Sequence, residues 1–209
     1  MATDADLTSV LARAQALGFM GPGSLEEAIA HARRFGAGLS GFGDGDPIEL
    51  VDIGAGGGLP ALPLLVADTR LSATLVDAAQ RRVSFLAWAG ADLGLADRVE
   101  AVCARAEEFA HEPDRRGRYD VAIARGFGPP AWTLECAVPL VRPGGRFVVS
   151  EPPGGRAWPL GALAEAGVHL RSVPVDPRAG VAVFEVESAP PAGLPRSPRR
   201  QRRAPLFDL

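Results

Sequence analysis

The sequence predicts an α/β chain: a doubly wound, mostly parallel seven-stranded sheet with an antiparallel last strand and a short N-terminal helical cap. Three observations predict it. From Ile48 onward, short strand-like runs alternate with helical ones, a pattern that packs as parallel strands with helices on both faces. A glycine-rich turn, Val51-Asp52-Ile53-Gly54-Ala55-Gly56-Gly57-Gly58-Leu59, joins the first strand to the first helix of that series. Two final strand-like runs are joined by Asp176-Pro177-Arg178-Ala179-Gly180, a turn-forming stretch that makes the last strand antiparallel.

The N-terminal elements come first. Leu7, Val10, Leu11, Ala14 and Leu17 recur at helical spacing behind an Asp-rich start that can cap a helix. Ser24 followed by Glu27 has capping-box spacing and opens a second helix ending near Phe35-Gly36. A Gly/Asp-rich loop, residues 41–47, closes this cap. The strand-like runs are 48–53, 73–76, 99–103, 119–124 and 146–149, followed by 169–175 and 181–186. Helical runs fall at 60–67, 79–93 and 130–141, with a short turn at 105–109 and a further segment at 156–166. Residues 189–209, rich in Pro and Arg, read as a poorly packed tail. The organisation expected is therefore a cap (1–46), a main α/β domain (47–188) and a tail (189–209).

Composition narrows the function classes. The 209 residues suffice for one domain with a sizeable core, and 47% hydrophobic with 22% charged residues is an ordinary globular balance. The longest strongly apolar stretch, residues 59–67, contains two prolines and falls far short of the about 20 residues a membrane helix needs. The acidic N-terminus has no signal-peptide pattern, so the expected location is cytoplasmic, with no membrane partner. The two cysteines, Cys103 and Cys136, lack neighbours to complete a metal site and read as small buried hydrophobes. All 22 basic residues are arginine. Residues 196–209 carry five arginines and one aspartate, a net +4, which against the formal total of −3 leaves −7 for the residues before them.

The glycine turn is the main candidate site. Gly54, Gly56 and Gly58 let the backbone turn sharply and approach a ligand. The helix beginning near Leu59 presents unpaired N–H groups and a positive dipole end, which suits a carboxylate such as that of the methionine part of S-adenosyl-L-methionine. Asp52, two residues before the first glycine, is placed to accept from an ammonium. A nicotinamide or flavin fingerprint would need a glycine where Leu59 stands, and a phosphate-binding P-loop needs a lysine this chain lacks. Asp77 ends the second strand, where a carboxylate binds ribose hydroxyls or caps the next helix. Ala106 and Glu107 follow the third strand, where a base edge can be bracketed. Arg125 closes the fourth strand after four apolar residues, at the edge where open α/β sheets place ligands. Trp88, at helical spacing from Phe85, reads as core, and Trp132 and Trp158 as packing residues.

Residues 51–64 (VDIGAGGGLPALPL), 74–86 (TLVDAAQRRVSFL), 105–109 (RAEEF), 124–127 (ARGF) and 143–147 (PGGRF) together resemble the small-subunit ribosomal RNA methyltransferase G family, also called glucose-inhibited division protein B. The resemblance implies a class I, Rossmann-like methyltransferase fold. It implies methyl transfer from S-adenosyl-L-methionine to guanine N7 in 16S ribosomal RNA. It also implies cofactor contacts from Gly54, Leu59, Ala106, Glu107 and Arg125, with Asp77 on the ribose. The chain departs from the family at Arg34-Phe35, Ala61 and Ser150-Glu151-Pro152-Pro153, and lacks the family's N-terminal signature. Three readings stay open: an RNA methyltransferase supported by the arginines near its end, a small-molecule methyltransferase with a diverged cap, and a cofactor-binding relative without catalysis. No catalytic residue is assigned. Guanine N7 has a free lone pair and needs no general base, and His31, His111 and His169 form no strong pair with a carboxylate. An acceptor that must lose a proton would make His31 the first candidate base.

Overall fold

The computed structural model describes residues 2–172 and 180–208. Helix α1 (Asp4–Ala16) starts at Thr3, whose hydroxyl accepts the Asp6 amide while the Asp6 carboxylate accepts the Thr3 N–H. Its Leu7, Val10, Leu11 and Ala14 are fully buried, the stripe their spacing predicts. Helix α2 (Leu25–Arg33) is capped by Ser24, whose hydroxyl accepts the Glu27 N–H at 3.2 Å, and runs into a 3₁₀ turn, Arg34–Leu39.

The alternating region follows as β1 (Ile48–Ile53), α3 (Ala61–Ala67), β2 (Leu71–Asp77), α4 (Gln80–Asp92), β3 (Val99–Cys103), α5 (Ala106–Phe109), β4 (Tyr119–Ala124), α6 (Pro130–Ala137), β5 (Val141–Glu151), α7 (Leu160–Glu165), β6 (Val168–Ser172) and β7 (Gly180–Val186). The sheet order is β3-β2-β1-β4-β5-β7-β6. Strands β1 to β5 pair in parallel, and β7 runs antiparallel between β5 and β6. The expected fold class therefore holds. The turn expected at Asp176–Ala179 and the end of the expected 169–175 strand lie outside the described residues.

Strands β1 and β4 are buried along nearly their whole length because helices cover both sheet faces. On one face α1, α2, α3 and α4 share a single core with the inner side chains of β1 and β2. The opposite core joins Phe109, Leu134, Phe147 and Phe184. The N-terminal cap is thus part of one sheet layer's core. Between β1's neighbours β2 and β4 the chain order reverses, which opens a crevice at the strands' carboxyl ends.

Two expectations need correction. The tail is packed, with a further helix, α8 (Pro198–Arg203), and buried Leu194 and Gln201. Its anchors are long-range. The Arg196 backbone N–H and guanidinium both donate to Glu135, whose side chain is fully buried. Arg116 donates to the Leu194 carbonyl at 2.7 Å, and His111 Nε2 lies 2.8 Å from the Pro195 carbonyl. Phe207 meets the Trp158 ring edge-on at 5.9 Å. Single residues from distant elements hold this segment, so no local period announces it. Cys103 is exposed at the end of β3, an edge strand, whereas Cys136 is buried as expected and its thiol pKa is pushed up by that burial.

Candidate functional site

The glycine turn hangs from the end of β2. Gly54 and Ala55 N–H both donate to the Val76 carbonyl, at 2.8 and 3.0 Å. Gly54 has φ +73°, and a β-carbon there would lie 2.7 Å from Cδ2 of Phe127, in the loop after β4. Gly56 N–H donates to Asp77 Oδ2 at 3.0 Å, while Asp77 Oδ1 accepts the Ala79 N–H at 2.9 Å. Asp77, 5% exposed, therefore ties the turn to the start of α4. The Ala79 N–H belongs to the residue that precedes α4, and no side chain caps the first-turn amides of α4, so the helix-capping alternative for Asp77 is not met.

Asp52 lies under the turn with no exposed surface, and neither carboxyl oxygen has a hydrogen-bond partner of normal geometry. Burial drives its pKa well above the usual carboxylate range, opposed by the nearby Ala61 N–H and reinforced by Asp77. The first N–H of α3 thus sits by Asp52, not by the crevice alone. Across from it, Arg125 is half-buried at the end of β4, with Nη1 buried and without a partner. Burial lowers its pKa, and the field of Asp52 opposes that. The two residues form no ion pair within 4 Å among the described residues.

A cleft of about 1270 Å³ opens over this turn. One wall is residues 19–24, with Glu27, His31 and Arg34. The other is Gly54, Gly56, Leu59, Arg125 and the end of β5 at Ser150-Glu151. Arg82 reaches in from α4. The Glu151 side chain is fully buried, with Oε1 2.9 Å from Arg156, so it shows only backbone to the cleft; burial raises its pKa. The charged groups lining the cleft are thus mainly the half-buried Arg34, Arg82 and Arg125 and the exposed Glu27.

The sequence-predicted residues divide accordingly. Gly54, Gly56, Leu59 and Arg125 line the cleft, and Asp77 joins it through Gly56 and through Arg82, 3.5 Å away. Asp52 lies beneath, without surface of its own. Ala106 and Glu107 sit buried at the next strand end, outside the cleft lining, with Glu107 accepting from Arg105 at 3.0 Å. The wall at residues 19–24 was not foreseen. Its only sequence signal is the Gly/Pro-rich run between the two cap helices. No group of three His, Cys, Asp or Glu side chains is placed to hold a metal among the described residues. No described helix is long and apolar enough to cross a membrane.

Arg125, whose buried Nη1 has no partner, lines the cleft next to the glycine turn and is complementary to the carboxylate of an α-amino acid. The cleft therefore fits S-adenosyl-L-methionine on this chain's own residues. The strand order with an antiparallel β7 and this turn at the end of β1 define a class I methyltransferase fold, Rossmann-like in its parallel half. Comparisons agree. The cofactor-bound Rv0187 from MTB superposes with a TM-score of 0.61 at 19% identity, covering 89% of this chain and 91% of that one. The T. Thermophilus 16S rRNA N2 G1207 methyltransferase, in complex with AdoMet and guanosine, gives 0.51 at 21%, covering 83% and 43%. The family described as "rRNA small subunit methyltransferase G" matches residues 37–151, and the chain belongs to that family. The Ribosomal RNA small subunit methyltransferase G of Streptococcus pyogenes serotype M49 is 36% identical over 110 residues, 53% of this chain and 46% of that protein. The chain spans about half the length of the relatives it matches.

Proposed function

We propose that this chain is an S-adenosyl-L-methionine-dependent methyltransferase acting on guanine N7 in 16S ribosomal RNA, and that it works in the cytoplasm. One observation carries the reading: the family segment, residues 37–151, builds the wall of the cleft that holds the glycine turn and the unpaired Arg125. When bound, S-adenosyl-L-methionine supplies a methyl group on a positively charged sulfur. Arg125 would hold its carboxylate, and Asp52, sealed and protonated beneath the turn, would serve the ammonium side only by supporting the glycine turn from below. Asp77 takes the ribose hydroxyls with the lone pairs that Gly56 and Ala79 leave free. Ala106 and Glu107 border the adenine. Guanine N7 carries no proton, so the chain's remaining tasks are in-line placement and exclusion of water.

A second reading rests on a separate observation. Residues 19–34, which form the acceptor-side wall, lie outside the matched family segment. On that wall alone rests the alternative of a small-molecule acceptor with a diverged cap, which the family match does not favour. Two measurements decide. Saturation at about 100 times Kd adds about 2.7 kcal/mol, and so raises Tm by about 5 to 10 °C; no shift with S-adenosyl-L-methionine removes the cofactor assignment. Mapping N7-methylguanosine in 16S RNA from a deletion strain should show one site lost, and unchanged RNA modification transfers the assignment to the small-molecule reading.

A further inference from the structure

The arginines of α8 differ from the rest of the surface. Elsewhere exposed arginines are mostly held by carboxylates, Arg33 by Asp4, Arg118 by Glu49, Arg142 by Asp120 and Arg171 by Glu185, while Arg13 and Arg81 lie over the Trp88 and Phe19 rings. Arg199, Arg200 and Arg203 are exposed and make no ion pair or side-chain hydrogen bond with any described residue. Three unmatched guanidinium groups thus stand together on a body of net −7. Like charges at this density repel one another, and the arrangement is favourable only toward an anion with several charges.

The helix is also fixed in place. Arg196 is clamped to buried Glu135, Gln201 is buried and donates to the Arg196 carbonyl at 2.9 Å, and Arg202 lies 5.5 Å over the Trp132 ring. Trp132 is in the first turn of α6, six residues after Gly126, which lines the cleft. Six residues span at most about 22 Å, so the ring under Arg202 is within that reach of a residue lining the cleft. That separation suits a backbone whose base enters the cleft.

We propose that Arg199, Arg200 and Arg203 form a docking surface for the phosphodiester backbone of RNA, which α8 presents. The proposal rests on the RNA reading above for the choice of partner. Arginine suits it because the planar guanidinium donates in pairs to phosphate oxygens and is weakly hydrated. The surface supplies affinity without sequence preference, while the cleft selects the base.

The test uses the full chain, a short fluorescein-labelled single-stranded RNA and anisotropy across a salt series. The variant is Arg199→Gln/Arg200→Gln/Arg203→Gln, with the corresponding triple Lys change as its charge-retaining control. We expect the variant to bind RNA at least tenfold more weakly, and its log–log salt slope to shrink by about 2, since each phosphate contact contributes about 0.7. The Lys variant should recover most of the slope, and S-adenosyl-L-methionine affinity should be unchanged. An unchanged slope in the Gln variant overturns the proposal, as does a wild-type chain that binds phosphatidylglycerol vesicles but not RNA. Methylation separates the two readings. A wild-type chain that binds RNA through α8 but methylates no guanine keeps the surface and removes the function. If guanine is methylated with the same KM in wild type and Gln variant, the function stands and the surface falls.

Discussion

Gly54 carries two constraints. Its φ of +73° is unfavourable for any L side chain, and its α-carbon faces the Phe127 ring. Gly54→Val should therefore cost about 2 to 4 kcal/mol, from backbone strain and overpacking together, and abolish cofactor binding. Urea unfolding of Gly54→Ala with and without Phe127→Ala tests the cause. Relief of about 1 kcal/mol or more in the double variant implicates the ring, and strict additivity removes it. The sequence argument for Gly54 rested on space for a ligand. The structure assigns part of the demand to a neighbour 73 positions away, which no local pattern encodes. Asp77 was legible as a residue, because it ends an apolar run just before a helix. Its bond to Gly56 was not, since that depends on how β1 and β2 align.

At the scale of elements, the tail strap is held chiefly by one buried pair. Glu135 has no exposed side-chain surface, and the Arg196 side chain is 16% exposed. Removing one partner leaves a buried charge without compensation. Arg196→Ala should destabilise the fold by about 3 kcal/mol or more, release α8 and open the segment after residue 189 to protease. Replacing both members, as Glu135→Leu with Arg196→Leu, should recover most of the loss. If Arg196→Ala unfolds at the wild-type urea midpoint and resists protease equally, the pair does not hold the strap. Strands β1 to β4 and helices α3 and α4 were legible to within a few residues because each repeats its apolar positions locally, whereas β5 begins at Val141, five residues before the expected run and at a position assigned to the preceding helix. The strap was misread because its composition, rich in Pro and Arg, is that of a loose tail.

At the scale of the molecule, the buried carboxyls set a pH dependence. The folded pKa of Asp52 lies above its unfolded value, so the folded state holds a proton that the unfolded state releases. Its contribution is fully favourable below the usual carboxylate pKa and declines as pH rises through the window up to the folded value. Glu151 acts with the same sign. Asp52→Asn should remove the Asp52 part, so the variant should gain about 1 to 3 kcal/mol on wild type at pH 8 and little at pH 4. Its S-adenosyl-L-methionine affinity should stay close to wild type, because a protonated buried carboxyl and an amide are both neutral toward an ammonium. Urea midpoints at the two pH values and a cofactor titration check both; a constant stability gap across pH contradicts the shifted pKa.

The sequence by itself determined the alternating α/β order, the glycine turn after β1 and the acidic residue ending β2. These are written in short-range spacing: a period of two or of about 3.6, and residues adjacent in the chain. Tertiary structure alone decided that residues 19–24 wall the cleft, that Asp52 lies sealed beneath the turn, that Ala106 and Glu107 stand outside the cleft lining, and that α8 is held by buried Glu135 and the Trp132 ring. Each of those depends on which distant surfaces meet, and burial, field and unmet charge exist only once they have met.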